Sequence, residues 1–319
     1  MRIVEKLEKT QMSKSTLVTA LYHHTPKEII GGRGWDFPYF AAPFLNVLNL
    51  EQPIVIYTHD KVSKDLIPFM EKHAKSEYKI IDYDLLSFKH SESILNLKRS
   101  SGKFTNETLN DDVSYVDNDR NTHLCLNKLY WLNEESQKNH FSSNKFYWID
   151  AGLFHHGIFP EKYGGRERLS KQENRPDLYY PEHQLSIFNP NLIPKVNSLC
   201  QKFLCLRHQE MPINFDMRKA LSVDGKTLGY IVGGFFGGEK QYIGPMLKQF
   251  DESLQVILNN KILTLEEDLL SCISAICPDL FQMFTFDTWS HDITTDPCYY
   301  GASDHSKSFY KFFKDLIHE

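Results

Sequence analysis

The stretch that decides the fold is "FYWIDAGLFHHG", residues 146–157. It opens with four large residues of the kind that fill buried strands and runs directly into Asp150, followed by Ala151 and Gly152. In an open α/β sheet, ligands bind just beyond the carboxyl ends of the strands, where a carboxylate can hold a metal ion or a sugar hydroxyl. The small residues after the acid leave room for a ligand to approach the backbone. The alternative is that Asp150 caps a turn, since Asp and Gly are common turn residues.

The chain before this stretch alternates between short apolar runs and longer amphipathic segments. The runs at 15–24, 53–60 and 78–84 predict strands, whereas the segments at 37–50 and 64–75 predict helices. Alternation of this kind, with unbroken apolar strands, is typical of a parallel sheet covered by helices on both faces. The sequence therefore predicts an α/β fold with a mostly parallel central sheet.

The rest of the chain continues the pattern with one polar interruption. Residues 123–138 predict a helix that leads into the opening strand, and residues 229–258 predict a strand, a Gly-Gly turn and a long amphipathic helix. Another helix is predicted at 263–284. Residues 91–119 are poor in large aliphatic side chains, so we expect a mobile insertion outside the core that orders over a ligand. No repeat or linker divides the chain, and we expect 1–319 to be one domain with loop insertions.

The C-terminal stretch "HSKSFYKFFKDLIHE" predicts a helix over 306–318. Its apolar residues recur at helical spacing and form one face: Phe309, Phe312, Phe313, Leu316 and Ile317. Such a helix either docks on the body of the protein or lies on an anionic membrane surface. Three lysines fall short of a polybasic cluster, so we expect docking with at most weak peripheral membrane contact.

The composition excludes several classes of partner. The 319 residues contain 36 Lys and Arg against 41 Asp and Glu, giving a net charge of −5 and no basic field that would recruit nucleic acid. No apolar run reaches the roughly 18–20 residues of a membrane-spanning helix, and the N-terminal residues lack the apolar region of a secretory signal. The six cysteines form no CxxC pair, so we expect reduced thiols in a cytoplasmic protein.

A second unusual stretch is "VGGFFGG", residues 232–238. Paired glycines let a backbone approach a ligand closely, which makes Gly233, Gly234 and the adjacent Phe235 candidates for ligand contact. The alternative is a tight turn between strand and helix, with Phe235 and Phe236 in the core. The glycine spacing does not match the dinucleotide-binding pattern.

Three consecutive acids follow in "TLEEDLL", residues 264–270. Thr264 and Glu267 fit a capping box, which explains one acid structurally. A helix start facing a cleft makes Glu266, Glu267 and Asp268 candidates for a general base. The histidines are dispersed without a recognisable ligand spacing, although His291 could reach back toward Asp150 as a metal ligand.

The order of these pieces resembles the HtrL/YibB family, also called WlaTB-like. The resemblance covers roughly Thr16 to Phe284, and its most specific elements are "WIDAG" with the upstream Lys128, and "GGFFGG". This bacterial family is associated with lipopolysaccharide and lipooligosaccharide loci and is regarded as glycosyltransferase-like. The resemblance implies a GT-A-like fold, a nucleotide-sugar donor, and a glycan or lipid-linked acceptor at the cytoplasmic side of the membrane.

The resemblance also implies roles for individual residues. The catalytic candidates are Asp150, Glu266, Glu267 and Asp268. The donor-binding candidates are Thr19, Ala20, Leu21, Tyr22, Lys128, Asp150, Ala151, Gly152, Gly233, Gly234 and Phe235. In GT-A enzymes a D-x-D motif holds Mn²⁺ or Mg²⁺, but here Gly152 replaces the second acid, so Asp150 with His291 is the candidate metal pair.

Two other functional classes remain open from the sequence. One is a non-catalytic glycan- or nucleotide-binding protein that keeps the fold without the second acid. The other is a nucleotidyltransferase or metal-dependent phosphoesterase on a related α/β sheet. The product released from a sugar nucleotide distinguishes all three.

Overall fold

The computed structural model describes most of the predicted core elements. It covers residues 14–22, 37–101, 119–151, 189–208, 213, 215–223, 228–286 and 316. The strands in this part are β1 (Ser15–Ala20), β2 (Ile54–Thr58), β3 (Tyr78–Asp82), β4 (Lys145–Ile149), β5 (Phe203–His208), β6 (Tyr230–Glu239) and β7 (Phe281–Phe286). The helices are α1 (Phe37–Leu48), α2 (Asp60–His73), α3 (Ser91–Ser101), α4 (Asp119–Lys138), α5 (Leu192–Leu199), α6 (Phe215–Ala220), α7 (Lys240–Asn259) and α8 (Glu266–Ile276).

The strands form one seven-stranded sheet in the order β3-β2-β1-β4-β6-β5-β7. Every neighbouring pair is parallel except the two that involve β6, which runs antiparallel to both β4 and β5. The predicted α/β fold with a mostly parallel central sheet covered by helices is therefore confirmed. The order reverses between β1 and β4, the kind of position at which open α/β sheets bind ligands.

Helices cover both faces of the sheet. Successive residues of a strand point to opposite faces, so each strand contributes side chains to both. On one face Leu17, Ile56 and Tyr147 pack with side chains of α1, α2 and α5. On the other face Val55 and Trp148 pack with side chains of α3, α4, α7 and α8. Each large apolar side chain buried in this way stabilises the fold by about 1.5–3 kcal/mol.

The glycine-rich stretch differs from the prediction of a turn. Residues 230–239 form one continuous strand, and the helix begins only at Lys240. Gly237 and Gly238 have φ angles of 144° and 157°, a region that favours glycine. A Cβ at Gly237 would lie 2.2 Å from the Phe146 carbonyl oxygen, and one at Gly238 would lie 2.2 Å from the Lys202 carbonyl oxygen. These glycines therefore let β4 and β5 pair closely with β6, and the predicted turn is wrong.

The helix predicted at 263–284 is also shorter in the structure. Helix α8 spans Glu266–Ile276, and the end of the predicted segment is strand β7 on the edge of the sheet. A 3-10 turn at Pro278–Leu280 separates the two elements. Proline is unfavourable in a helix interior because it lacks a backbone N–H, so Pro278 is a sequence signal for this boundary, although α2 and α7 each contain an internal proline.

The segment 91–119 begins with a packed helix rather than with an exposed loop. Helix α3 buries Ile94 and Leu97 against the face of the sheet that carries Trp148. Ser91, at its first residue, is bound through its hydroxyl to His123 Nε2 of α4 at 2.9 Å. The expectation that 91–101 lies outside the core is therefore wrong, and the remainder of the predicted insertion, 102–118, lies outside the described residues.

The C-terminal helix prediction meets the structure at Leu316, the one residue of 306–318 that is described. Leu316 is helical and buried in the same cluster as Leu17 and Tyr147. Lys195 Nζ donates to its carbonyl oxygen at 2.6 Å. At this residue the structure agrees with docking. Among the described helices, none combines the length and apolar character needed to cross a membrane.

Candidate functional site

Three elements bring charged groups together at the carboxyl edge of the parallel strands. Asp150 follows β4, Lys128 lies on α4, and Glu266 is the first residue of α8. Because β6 is antiparallel to β4, with Ile149 opposite Phe235, the start of β6 lies beside the end of β4. Residues widely separated in the sequence thus meet at one edge of the sheet.

Lys128 is the centre of this cluster. Its Nζ lies 2.6 Å from Glu266 Oε1 and 3.0 Å from Asp150 Oδ1, and it donates to the Gly233 carbonyl oxygen at 3.2 Å. Its side chain is only 5% exposed. Burial alone lowers the pKa of Lys128, but the Asp150 and Glu266 carboxylates outweigh it and raise the pKa well above its usual value. Lys128 is therefore a buried, permanently charged ammonium.

Asp150 is the member of the cluster that reaches solvent, with 34% of its side chain exposed. Its Oδ1 accepts a hydrogen bond from Trp148 Nε1 at 2.7 Å, in addition to the Lys128 contact. Its backbone N–H donates to the Gly234 carbonyl oxygen at 2.9 Å. The carboxylate is thus held by the Lys128 ammonium of α4 and by the indole of Trp148, two residues before it, and a turn cap requires neither contact.

Glu266 is almost completely buried, at 2% exposure. Burial raises the pKa of Glu266 to about 7; Lys128 opposes this shift and Glu267 adds to it. Its Oε2 has no hydrogen-bond partner among the described residues. A buried polar atom without a partner costs about 1–3 kcal/mol, so this oxygen is a position where a ligand or a water would be stabilising.

Glu267 has a structural role that the capping-box prediction missed. Its Oε1 accepts from the Gly233 N–H at 2.8 Å and its Oε2 accepts from the Tyr230 hydroxyl at 2.6 Å. The helix N-cap is Leu265, and the Thr264 hydroxyl donates to Met217 Sδ at 3.1 Å. The capping box is therefore wrong, because strand β6 offers Glu267 two better donors. With both oxygens engaged, Glu267 ties α8 to β6 rather than standing ready as a base.

The third acid, Asp268, lies on α8 at 3% exposure. Burial, followed by the charge of Glu267, raises the pKa of Asp268 to about 7. Its carboxyl group is about as deeply buried as that of Glu266, and the general-base role expected for Asp268 stays a prediction.

The glycines and phenylalanines of β6 serve packing rather than ligand contact. A Cβ at Gly233 would lie 2.3 Å from Glu266 Oε1, so the acids of α8 already fill the space that the missing side chain leaves. Phe235 is fully buried and stacks on Tyr147 with ring centroids 5.5 Å apart. The expected contact of Phe235 with a donor is corrected to a core position. Gly234 lies beside the site, because its carbonyl oxygen accepts a hydrogen bond from the Asp150 N–H.

The residues at the end of β1 are mostly core residues too. Thr19, Leu21 and Tyr22 are buried, and Ala20 is partly exposed. The Tyr22 hydroxyl donates to the Tyr83 carbonyl oxygen at 2.9 Å. Of these four predicted donor-binding residues, Ala20 is the one that is partly exposed to solvent.

An aromatic stack that the sequence analysis missed joins the end of β1 to the charged cluster. Tyr22 stacks on Trp131 with ring centroids 6.0 Å apart, and Trp131 stacks on Trp148 at the same separation. Lys128 Nζ then lies 5.5 Å from the Trp148 ring centroid, a cation–π distance. The available signal was spacing, since Trp131 is one helical turn after Lys128 and Trp148 is two residues before Asp150.

Comparison with known proteins gives structural similarity without sequence similarity. No protein-family profile matches the chain, so its resemblance to the HtrL/YibB family is not confirmed. No curated protein matches its sequence either.

Three solved structures are similar over most of their length. Mouse xyloside xylosyltransferase 1, in its apo form, is 10% identical, with 93% of each chain covered and a TM-score of 0.41. Core-mannan synthase A from Aspergillus fumigatus, in a Mn/GDP form, is 7% identical, covering 85% of this chain and 73% of that one, with a TM-score of 0.49. The 4-diphosphocytidyl-2C-methyl-D-erythritol synthase from Anaerococcus prevotii DSM 20548 is 8% identical, with 97% of each chain covered and a TM-score of 0.35. With all three scores below 0.5, the functional argument rests on the geometry of the site itself.

The described residues do not by themselves fit a divalent metal ion. Within the described part of the chain no group of three or more His, Cys, Asp or Glu side chains is placed to hold one. Asp150 Oδ1 already accepts from Trp148 and Lys128, and the positive charge beside the carboxylates is the Lys128 ammonium. The other predicted ligand, His291, and the donor-binding candidate Gly152 lie outside the described residues, while Ala151 is buried.

Proposed function

We propose that the protein is a glycosyltransferase that moves a sugar from a nucleotide-diphosphate sugar to a hydroxyl group of a glycan acceptor. The observation that supports this most directly is the Asp150–Lys128–Glu266 cluster at the carboxyl edge of the parallel strands. It lies where the strand order reverses between β1 and β4, which is where open α/β sheets bind ligands.

The chemistry of the cluster suits a reaction on a sugar. Ionised carboxylates accept hydrogen bonds from hydroxyl groups, and such charge-assisted bonds are among the stronger ones in proteins. Asp150 is fixed by Trp148 and Lys128 before any ligand arrives. A charged group held in place in this way needs no reorganisation during the reaction, which is how preorganised sites favour a transition state.

The finer parts of the proposal rest on the resemblance of the motifs. They are a lipopolysaccharide-type or lipid-linked acceptor, a bacterial source, and a cytoplasmic location with at most weak peripheral membrane contact. A requirement for Mn²⁺ or Mg²⁺ belongs to the same group, and it needs at least one ligand outside the described residues.

The direct test is a panel of sugar nucleotides incubated with the protein, with and without Mn²⁺, while released products are separated. We expect release of a nucleoside diphosphate from at least one donor, slowly by hydrolysis when no acceptor is present. Release of pyrophosphate would instead indicate a nucleotidyltransferase. Binding without turnover, even with added glycan acceptors, would indicate a non-catalytic binding protein.

Asp150→Asn is the first variant to measure in that assay. We expect turnover to fall about 100-fold or more, because the amide keeps the shape of the side chain and removes its charge. Glu134→Gln on α4 is the control, since Glu134 pairs with Lys138 at the surface. Full activity in Asp150→Asn, with circular dichroism unchanged, would remove Asp150 from the reaction.

A further inference from the structure

We infer that the Asp150–Lys128–Glu266 cluster binds hydroxyl groups of a sugar ring through Asp150 Oδ2 and Glu266 Oε2, and that Lys128 does not bind phosphate. This inference rests on the proposed function and specifies which part of the donor the cluster recognises. It replaces the expectation that Lys128 binds the donor directly.

The first step concerns the donors of Lys128. An ammonium group carries three N–H bonds, and Nζ has three acceptors within 3.2 Å: Glu266 Oε1, Asp150 Oδ1 and the Gly233 carbonyl oxygen. The side chain is also 5% exposed. A phosphate oxygen would have to displace one of these acceptors and leave a buried carboxylate or carbonyl without its partner, which is costly.

The second step concerns the acceptors that remain. Asp150 Oδ2 has a long contact of 3.4 Å with Lys128 Nζ, and the shorter bonds go to Oδ1. Glu266 Oε2 is buried and lacks a hydrogen-bond partner within the described ranges. Both carboxylates lie within 3.0 Å of the same nitrogen, and Asp150 is the more exposed of the two residues.

The third step is the charge of a suitable ligand. Oxygen acceptors need hydrogen-bond donors, and neighbouring hydroxyl groups of a sugar ring supply them without bringing negative charge. A phosphate would face two carboxylates whose counter-ion is already in place, and like charges repel strongly at a partly buried site. A metal ion is disfavoured because Lys128 occupies the position between the carboxylates.

Isothermal titration with matched ligand pairs tests this inference. The probes are UDP against UDP-glucose and UDP-galactose, and GDP against GDP-mannose, in the wild type and in Glu266→Gln. In the variant the amide oxygen must face Lys128, so its NH₂ group replaces Oε2 and turns an acceptor into a donor. We expect the bound sugar nucleotide to lose about 10-fold in affinity, while the nucleoside diphosphate stays within about 2-fold.

Two further variants sharpen the result. Asp150→Asn, at a partly exposed position, should show the same difference between sugar nucleotide and nucleotide even if Glu266→Gln folds poorly. Glu134→Gln should leave every affinity unchanged. Equal weakening of UDP and UDP-sugar would assign the cluster to phosphate and overturn the inference. Mn²⁺ binding without nucleotide that is lost in Glu266→Gln would assign it to a cation and overturn it as well.

The failure of the proposed function has a different signature. If the wild type binds no sugar nucleotide, the proposed function fails, and the cluster is then probed with free glucose, galactose and mannose by saturation-transfer NMR. Saturation that disappears in Glu266→Gln would retain the hydroxyl site in a protein of another class. No saturation in the wild type would overturn the site too.

Discussion

Lys128 is a buried cation whose value to the fold depends on its two carboxylate partners. Ion pairs of this kind add little relative to well-packed apolar residues, but the removal of one partner leaves an uncompensated buried charge. Here the loss of Lys128 would leave the carboxylates of Glu266, at 2% exposure, and of Asp150 without their cationic partner, although Asp150 would keep its bond from Trp148. The residue therefore matters for stability as well as for the site.

We predict that Lys128→Met lowers the free energy of unfolding by about 3–5 kcal/mol in urea denaturation at pH 8. The control is Lys138→Met at the end of the same helix, where the pair with Glu134 is exposed and worth about 0–1 kcal/mol. Equal effects of the two substitutions would show that the Lys128 cluster is solvated in the folded protein.

The individual site residues were predictable only where a local pattern marked them. Asp150 stands at the end of an apolar strand, and Glu266 stands at a helix start, so sequence alone singles out both. No local pattern marks the Glu267 bonds to β6, because they depend on how separate elements pack. For the same reason Glu267 was assigned to a local capping box that the tertiary structure replaces.

At the scale of elements, strand β6 shows why glycines are ambiguous in a sequence. Gly-Gly pairs occur in turns and also where two backbones approach closely, and the local sequence is the same in both cases. In β6 the deciding atoms belong to β4 and β5, with the Phe146 and Lys202 carbonyl oxygens 2.2 Å from the positions that Cβ atoms would take. Only the assembled sheet reveals this constraint.

We predict that Gly237→Ala destabilises the protein by about 1–3 kcal/mol, because its φ of 144° and the nearby carbonyl both oppose a side chain. Gly244→Ala in α7 is a control of opposite sign. Its Cβ would meet nothing closer than Asn133 Oδ1 at 3.8 Å, and alanine favours a helix over glycine by about 0.5–1 kcal/mol. Thermal denaturation measures the change in melting temperature of each variant. An unchanged melting temperature in Gly237→Ala would contradict the close pairing of β4 with β6.

At the scale of the whole molecule, the fold class was predictable because strands and helices alternate with distinct periods in the sequence. The strand order was not, since the antiparallel placement of β6 between β4 and β5 involves segments far apart in the chain. That placement brings Gly234 beside Asp150, and the bond from Gly233 to Glu267 holds the start of α8 at the same edge. The site is therefore a consequence of topology that no single motif contains.

The buried acids of α8 make the stability of the whole protein depend on pH. Burial and the charge of Glu267 raise the pKa of Asp268 from its usual 3.8 to about 7 in the folded state. Between these values the folded protein binds more protons than the unfolded chain. Its contribution to stability is therefore fully present below about pH 4 and is lost as the pH rises through 7.

We therefore predict that Asp268→Asn gains stability relative to the wild type as the pH rises from 5 to 7. One group titrating in this way changes the free energy of unfolding by about 1.4 kcal/mol per pH unit. Comparison with the variant is needed because Glu266 titrates in the same range: burial raises its pKa to about 7, while Lys128 opposes this shift and Glu267 adds to it. Glu266 therefore changes the free energy of unfolding in the same pH direction, and it is present in both proteins. Urea denaturation at pH 5, 6, 7 and 8 measures the difference, and parallel curves would show that Asp268 is ionised in the folded protein across this range.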